Sequence, residues 1–383
     1  VRAGDLGIIV GTARPGEFDA ITDVPGVRVG HTTLIEGEGP LVVGTGPVRT
    51  GVTVIVPSDE VGHDVLMAGC HRLNGNGELT GLEWVRESGL LTTPIALTNT
   101  HSVGVVHDAL IAADVRRRPD GGVYWSLPVV GETWDGALND VNGFHVKPEH
   151  VWSALKSAAA GPVAEGNVGG GTGMICHGFK GGIGTASRVL SPDEGGWTVG
   201  VLVQANHGRR SRLAVNGVRV GEAIPTSEVQ SPWIQLEELT AARVESGPNE
   251  GSGSIIVVVA TDAPLLPTQC DRLAQRAALG IGRTGGAGEN SSGDIILAFA
   301  TGNRGASSSR DRLTLSLRVV RNEEINPLFY AMIEATEEAI VNALLQAETM
   351  TGRDGITAYR LDPERVRALL ASPTGGNGSL KAE

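Results

Sequence analysis

The sequence predicts an α/β protein built as a layered sandwich, and three observations carry that prediction. Residues 255–259 are five consecutive β-branched side chains, Ile255-Ile256-Val257-Val258-Val259, followed by Ala260 and Thr261. That is the composition of a strand buried on both faces. Other strand-like runs are separated, in pairs, by segments whose apolar residues recur at helical spacing, as stacked layers require. Finally, 55 of 383 residues are glycine with no Gly-X-Y period, about twice the usual share, so short strands are joined by many tight turns.

Taken in order, Pro25-Gly26 turns the chain into an alternating strand that runs to Leu34, and Val52-Thr53-Val54-Ile55-Val56-Pro57 is a second strand. Asn74-Gly75-Asn76-Gly77 is a turn, and residues 79–90 have a helical pattern. Thr93-Pro94-Ile95-Ala96-Leu97-Thr98 reads as a strand, and Ser102 opens a helix with Val105, Val106, Leu110 and Ile111 inward. A strand is expected over 125–130 and a helix over 147–160. The strand over 197–205 ends at Asn206. A helix over 267–281 places Leu273, Ala274, Ala277, Ala278 and Ile281 on one side, and a strand follows over 295–300. The alternation of residues 313–319 predicts a half-buried strand. Asn326 is the expected N-cap, with Pro327 at the first position of a helix that runs until Gly352. The Gly- and Ser-rich tail from Ser372 is expected to be disordered.

One domain, 1–383, accounts for this length, and no internal repeat is present. A net charge of −12 with no basic face argues against nucleic acid. No run of eighteen apolar residues marks a membrane-spanning helix. Cys70, Cys176 and Cys270 lie far apart and form neither a disulfide framework nor a zinc pattern. The histidine pairs 63/71 and 101/107 lack the i, i+4 spacing of a helical metal site, so no metal and no cofactor is expected. The expected compartment is the cytoplasm, with the periplasm left open because the chain begins at Val1 without a methionine.

The chemistry points to two stretches. Gly166-Asn167-Val168-Gly169-Gly170-Gly171-Thr172-Gly173-Met174 tempts a nucleotide-loop reading, but no Gly-Lys-Ser/Thr follows. Close backbone packing, or N–H groups lining a site, fits it better. The second stretch runs from a polar linker over 245–250 through Gly251-Ser252-Gly253 into Ser254 at the head of the apolar strand. A serine needs a base to act as a nucleophile. A cut before Ser254 would supply one, an α-amine of pKa about 7.7–8.0, and a glycine at 253 lets the hydroxyl approach the carbonyl. The residues alone leave two readings open: a self-cleaving nucleophile, or a loop serine at a strand end. No Gly-x-Ser-x-Gly elbow enters a helix here, which weakens an α/β-hydrolase reading.

Across nearly its whole length the chain resembles the L-aminopeptidase/D-esterase and β-peptidyl aminopeptidase family of self-processing serine hydrolases. The resemblance rests on Ala20-Ile21-Thr22-Asp23-Val24-Pro25-Gly26-Val27, Asn74-Gly75-Asn76-Gly77-Glu78, the glycine cluster, Gly253-Ser254-Ile255 with Ala260-Thr261-Asp262-Ala263-Pro264-Leu265, and Ser291-Ser292-Gly293-Asp294. It implies a four-layer α/β/β/α sandwich of the N-terminal-nucleophile hydrolase type. It also implies cleavage between Gly253 and Ser254 into an α chain 1–253 and a β chain 254–383, and assembly as a tetramer of such units. The family's second serine matches Ser292, and its acid matches Asp294, where relatives can carry glutamate. Its oxyanion asparagine matches Asn206, and the carboxylate that holds a substrate's amine matches Glu132. Trp134 stands where relatives can carry tyrosine; an indole donates but cannot accept a hydrogen bond. The implied substrates are short peptides, amides or esters with a free N-terminal amine. Two rivals are an acetyl-transferring enzyme of the same fold, which would favour threonine as nucleophile, and an unprocessed, non-catalytic binding protein. Residues 217–250 carry no motif.

Overall fold

The computed structural model describes residues 1–118, 124–241, 250–251, 253–306 and 313–372. Most of the expected linker, Ser252 and the tail beyond Ser372 therefore lie outside the described residues. One sheet has four strands in the order β1 (Arg28–Glu36), β2 (Val48–Val56), β4 (Ile95–Asn99) and β5 (Val129–Thr133). The other has five: β3 (Met67–Arg72), β11 (Ile295–Ala300), β10 (Ser254–Thr261), β9 (Thr198–Asn206) and β8 (Gly182–Val189). Two small hairpins, β6 (Ile175–Cys176) with β7 (Phe179–Lys180) and β12 (Met350–Thr351) with β13 (Thr357–Ala358), complete the strands among the described residues. The described helices are α1 (Leu82–Ser88), α2 (Val103–Arg116), α3 (Pro148–Ser157), α4 (Val220–Ala223), α5 (Pro232–Ala241), α6 (Pro267–Arg283), α7 (Asn326–Leu345) and α8 (Pro363–Ala371).

Side-chain parity turns these into four layers. Between the sheets, Ile55, Ile95, Leu97 and Val129 pack against Ile183, Leu202, Ile256, Val258 and Leu297. The other face of the first sheet, with Val52, Val54, Ala96 and Val130, buries Val106, Ala109 and Leu110 of α2 and Val151 and Ala154 of α3. The other face of the second, with Val201, Val203, Ile255 and Val257, packs on Leu273, Ala274 and Ala277 of α6 and Met332, Ala335 and Ala339 of α7. The layers are helix, sheet, sheet, helix. Along β10 the even residues Ile256 and Val258 face the opposite sheet and the odd residues face the helices. Ser254, also even, opens the strand on the inter-sheet side.

Several expected elements are corrected. The strand expected over 125–130 is displaced to Val129–Thr133, because Pro128 has no N–H and its carbonyl accepts instead from Thr80 Oγ1 at 2.6 Å. The helix expected over 79–90 shrinks to Leu82–Ser88, since Leu79 bridges to Gly131. Residues 313–319 form no strand. Arg318 instead exchanges both backbone bonds with the Asn303 side chain at 3.0 Å, and Leu313, Leu315 and Val319 are exposed. Asn326 lies inside α7 instead of capping it, and α7 ends at Leu345, before Gly352. Gly352 has a different duty: a Cβ there would lie 2.1 Å from the Leu138 carbonyl oxygen. β3 and β8 are strands the sequence did not announce. Among the described residues, no helix is long and apolar enough to cross a membrane.

Candidate active site

Ser254 is the first residue of β10 and pairs with Asn206, the last of antiparallel β9. Its Oγ accepts a hydrogen bond from the Gly293 N–H at 2.9 Å. The next residue, Ile255, donates its N–H to Asp294 Oδ1 at 3.2 Å, and Ser292 Oγ donates to the same oxygen at 2.5 Å. The parallel pairing of β10 with β11, which starts at Ile295, places Asp294 beside Ile255. The side chains of Ser254, Asn206, Ser292 and Asp294 are all buried. Burial pushes the Asp294 carboxyl up to about 6, opposed by the bonds from Ser292 and Ile255.

The loop carrying Ser292 and Asp294 is clamped from the Asn74–Gly77 turn. Asn74 Oδ1 accepts from the Asp294 N–H at 2.6 Å, and its Nδ2 donates to the Glu289 carbonyl at 3.0 Å. Asn76 donates its N–H to the Ser292 carbonyl at 3.1 Å and its Nδ2 to the Ser291 carbonyl at 2.7 Å. These bonds fix the loop from both sides of the turn.

Asn206 is oriented in the same manner. Its Oδ1 accepts from the Ile175 N–H at 2.7 Å, which turns Nδ2 toward the Trp134 carbonyl, 3.0 Å away, and leaves a second amide hydrogen. Ile175 is held by its own loop: the buried Lys180 ammonium donates to the carbonyls of Gly171, Met174 and Gly181 at 3.3, 2.9 and 2.9 Å. Gly253 packs directly on this group. A Cβ there would fall 1.7 Å from the Asn206 carbonyl oxygen and 3.3 Å from Nδ2, so only glycine fits. The glycine cluster before Ile175 serves close packing. Cβ atoms on Gly170, Gly171 and Gly173 would lie 2.6 Å or less from Leu97, Ile183 or Arg49 backbone atoms or the Gln204 side chain.

Glu132 lies within β5, beyond the expected strand, with 4% of its surface exposed. Its Oε1 accepts from the Glu78 N–H at 2.9 Å and its Oε2 from Thr100 Oγ1. Burial raises its pKa, opposed by the Thr100 and Glu78 bonds. Gly77 stands between this carboxylate and the nucleophile loop: its Cβ position is 3.1 Å from Gly293 Cα and 3.4 Å from Glu132 Oε1. A cavity of about 320 Å³ opens alongside, lined by Gly77, Glu78, Arg72 and Ile295 among others.

The structure thus brings Ser254, Ser292, Asp294, Asn206 and Gly253 into one cluster and sets Glu132 one glycine away. Trp134 joins it through its carbonyl, while its ring stacks on Trp233 of α5 at 6.1 Å and 17°. Sequence reasoning missed the clamping role of Asn74 and Asn76, the bond from Thr100, and Trp233. The Asn-Gly pairs were visible as a turn and as part of a family motif, without a role, and Trp233 lies in the stretch without a motif.

Comparison with known proteins matches this geometry to a family. The model of peptidase family S58 matches residues 19–358. The chain is 51% identical over 371 residues to the β-peptidyl aminopeptidase BapA of Sphingosinicella microcystinivorans, covering 96% of this chain and 91% of that protein. Among solved structures, a β-aminopeptidase of a Burkholderia species superposes with a TM-score of 0.86 at 54% identity, covering 97% and 98% of the two chains. The L-aminopeptidase D-Ala-esterase/amidase of Ochrobactrum anthropi, described as a prototype serine aminopeptidase with a variant of the N-terminal-nucleophile hydrolase fold, gives 0.86 at 45%, covering 96% and 98%.

Proposed function

The chain belongs to peptidase family S58 and is a serine aminopeptidase with an N-terminal-nucleophile hydrolase fold, and we propose that it makes its own nucleophile by cutting the Gly253–Ser254 bond. Ser254 Oγ attacks the Gly253 carbonyl carbon, the acyl group shifts from nitrogen to oxygen, and water hydrolyses the ester. The products are the Gly253 carboxylate, ending an α chain 1–253, and a free α-amine on Ser254, opening a β chain 254–383. In turnover the same Oγ attacks the carbonyl of a substrate's first residue. The α-amine takes the hydroxyl proton and returns it to the leaving amine, and water then releases the acyl group.

The observation that carries this reading is the convergence on Ser254 at the strand head. The Gly293 N–H points at its Oγ, Asn206 Nδ2 lies beside the Gly253 peptide, and Asp294 gathers Ser292 and the Ile255 N–H. Preorganised donors of this kind are suited to a developing oxyanion. Glu132, buried with a free lone pair on each oxygen, pairs with the substrate's ammonium. Since two of the relatives above are named for β-peptidyl or β-amino substrates, short peptides beginning with a β-residue are the first to assay. The same reading includes assembly as a tetramer of αβ units, which light scattering tests.

Intact mass of purified protein decides the central claim. Two chains are expected, the smaller beginning Ser-Ile-Ile-Val, while Ser254→Ala remains one inactive chain. An active enzyme that stays uncut, or a smaller chain with a different first residue, overturns it.

A further inference from the structure

We propose that Cys176, His177 and His207 form a binding site for a soft monovalent metal ion, copper(I), behind the strand end that carries Asn206. One ligating atom from each residue lies within 4.8 Å of those of the other two. All three residues are buried, at 0%, 0% and 3% exposure. The two imidazole rings stand 5.1 Å apart at 66°, and Cys176 Sγ is 3.9 Å from His207 Nδ1.

Two features separate this cluster from ordinary core packing. First, Nε2 of both histidines is buried without any hydrogen-bond partner, and such groups are normally satisfied. His177 Nδ1 lies 3.0 Å from the Arg209 carbonyl, an acceptor that holds the proton on Nδ1 and leaves the Nε2 lone pair free. This is how backbone carbonyls orient imidazoles that ligate metals. Second, His177 has φ +50° and Gly178 φ +70°, the type I′ turn of the β6–β7 hairpin. The first turn position favours Asn or Gly; histidine tolerates positive φ too, but here its ring is fully buried instead of facing solvent as a turn side chain would.

Charge selects the ion. The donor set has no carboxylate, and a cation already flanks it: Arg210 donates to the carbonyls of His177 and Gly178 at 3.0 and 2.6 Å. A monovalent ion with a thiolate adds no net charge to this dry site, whereas zinc would leave one uncompensated positive charge. Thiolate and imidazole also suit copper(I). Binding releases the Cys176 thiol proton to solvent and replaces it with the ion, with no change in oxidation state. The cysteine and histidines escape a spacing search because about thirty residues separate them; the hairpin and the end of β9 bring them together.

The test is independent of the catalytic reading. The full-length chain carrying Cys70→Ser, which removes the partly exposed thiol, is titrated anaerobically with copper(I) against bathocuproine disulfonate. One ion per chain is expected to resist the chelator. His177→Asn, which suits the turn and removes a ligand, is expected to weaken retention on the order of 100-fold, at or beyond the loss from disturbing an outer partner. X-ray absorption at the copper edge should then show one sulfur and two imidazole nitrogens. No retained copper, equal retention in His177→Asn, or two sulfur ligands overturns the proposal.

Discussion

At the scale of single residues, the site separates two reactions that share one nucleophile. The α-amine of Ser254 does not exist until the chain is cut, so it cannot set the pH dependence of the cut. Asp294 is present throughout, and burial holds its carboxyl at about 6. Its charged form accepts from Ser292 and Ile255, so self-cleavage should slow as pH falls through about 6. Turnover should fail sooner on acidification, as pH falls through about 7.7–8.0, where an α-amine of ordinary pKa becomes protonated. Coincident limbs in the two pH profiles would remove the amine as the base. Ser292→Ala and Asp294→Asn should still yield two chains, because an intramolecular step tolerates a slow catalyst, yet lose most kcat/KM measured on the cleaved fraction. Full activity in either variant would remove that residue from the site. Glu132→Gln should lower kcat/KM for free-amine substrates by about 1.5–3 kcal/mol, the range for hydrogen bonds to charged groups, and leave blocked substrates equally poor. Of these positions only Ser254 was legible from its own stretch, a serine fed by a glycine turn into an apolar strand, while Ser292, Asp294 and Glu132 came from the family resemblance. Thr100 came from neither: a threonine gives no signal until the fold brings it to the Glu132 carboxylate.

At the scale of elements, apolar runs were legible and glycine-rich strands were not. β10 is announced by its β-branched run, whereas β8, Gly182-Ile183-Gly184-Thr185-Ala186-Ser187-Arg188-Val189, offers no apolar alternation. The reason lies in packing: α7 rests directly on this strand, and side chains there would hold it away. A Cβ on Gly184 would fall 1.9 Å from the Ala339 carbonyl oxygen and 2.7 Å from the Ala343 nitrogen. Residues 313–319 fail in the opposite sense: they alternate but pair with no strand, and Arg318 spends its backbone bonds on the Asn303 side chain. Gly184→Ala should therefore destabilise by about 1–3 kcal/mol through overpacking. It is best measured as a shifted urea midpoint in the single-chain Ser254→Ala host. Gly282→Ala, in α6 with nothing within 4 Å of its Cβ position, is the signed control and should stabilise by up to about 1 kcal/mol. Equal effects at the two sites would refute the packing argument.

At the scale of the whole molecule, the proposed cut must leave two chains that stay together. The β9–β10 ladder joins residues 199–206 to 254–261 across it, and α7 covers β8 from the other side. Buried in that second junction is Arg188, which pairs with Glu338, with Glu334 at 3.5 Å and with Asp19 at 3.6 Å. Arg2 ties the N-terminal segment to the same cluster through Glu165 at 2.9 Å. Removing the arginine strands several buried carboxylates, and breaking a buried pair in this way costs about 3–5 kcal/mol. The pH dependence has a definite sign. Asp19 is pushed up to about 7 by burial and by the Glu338 charge, against the Ser187 N–H bond, Arg2 and Arg188, and burial raises Glu165 to about 7. Both groups bind protons more tightly in the fold than in the unfolded chain, so their contribution to stability falls as pH rises from about 4 through 7. In Arg188→Met, Asp19 loses a cation and rises further. The variant's deficit against the Ser254→Ala host should therefore be largest near pH 8 and shrink at pH 5.5, where protonation removes the stranded charge. Urea unfolding at the two pH values reads this directly. A deficit that is constant, or that grows in acid, would mean that Arg188 acts through its packing and its bonds to the Val10 and Ser187 carbonyls, and not through the carboxylates it faces.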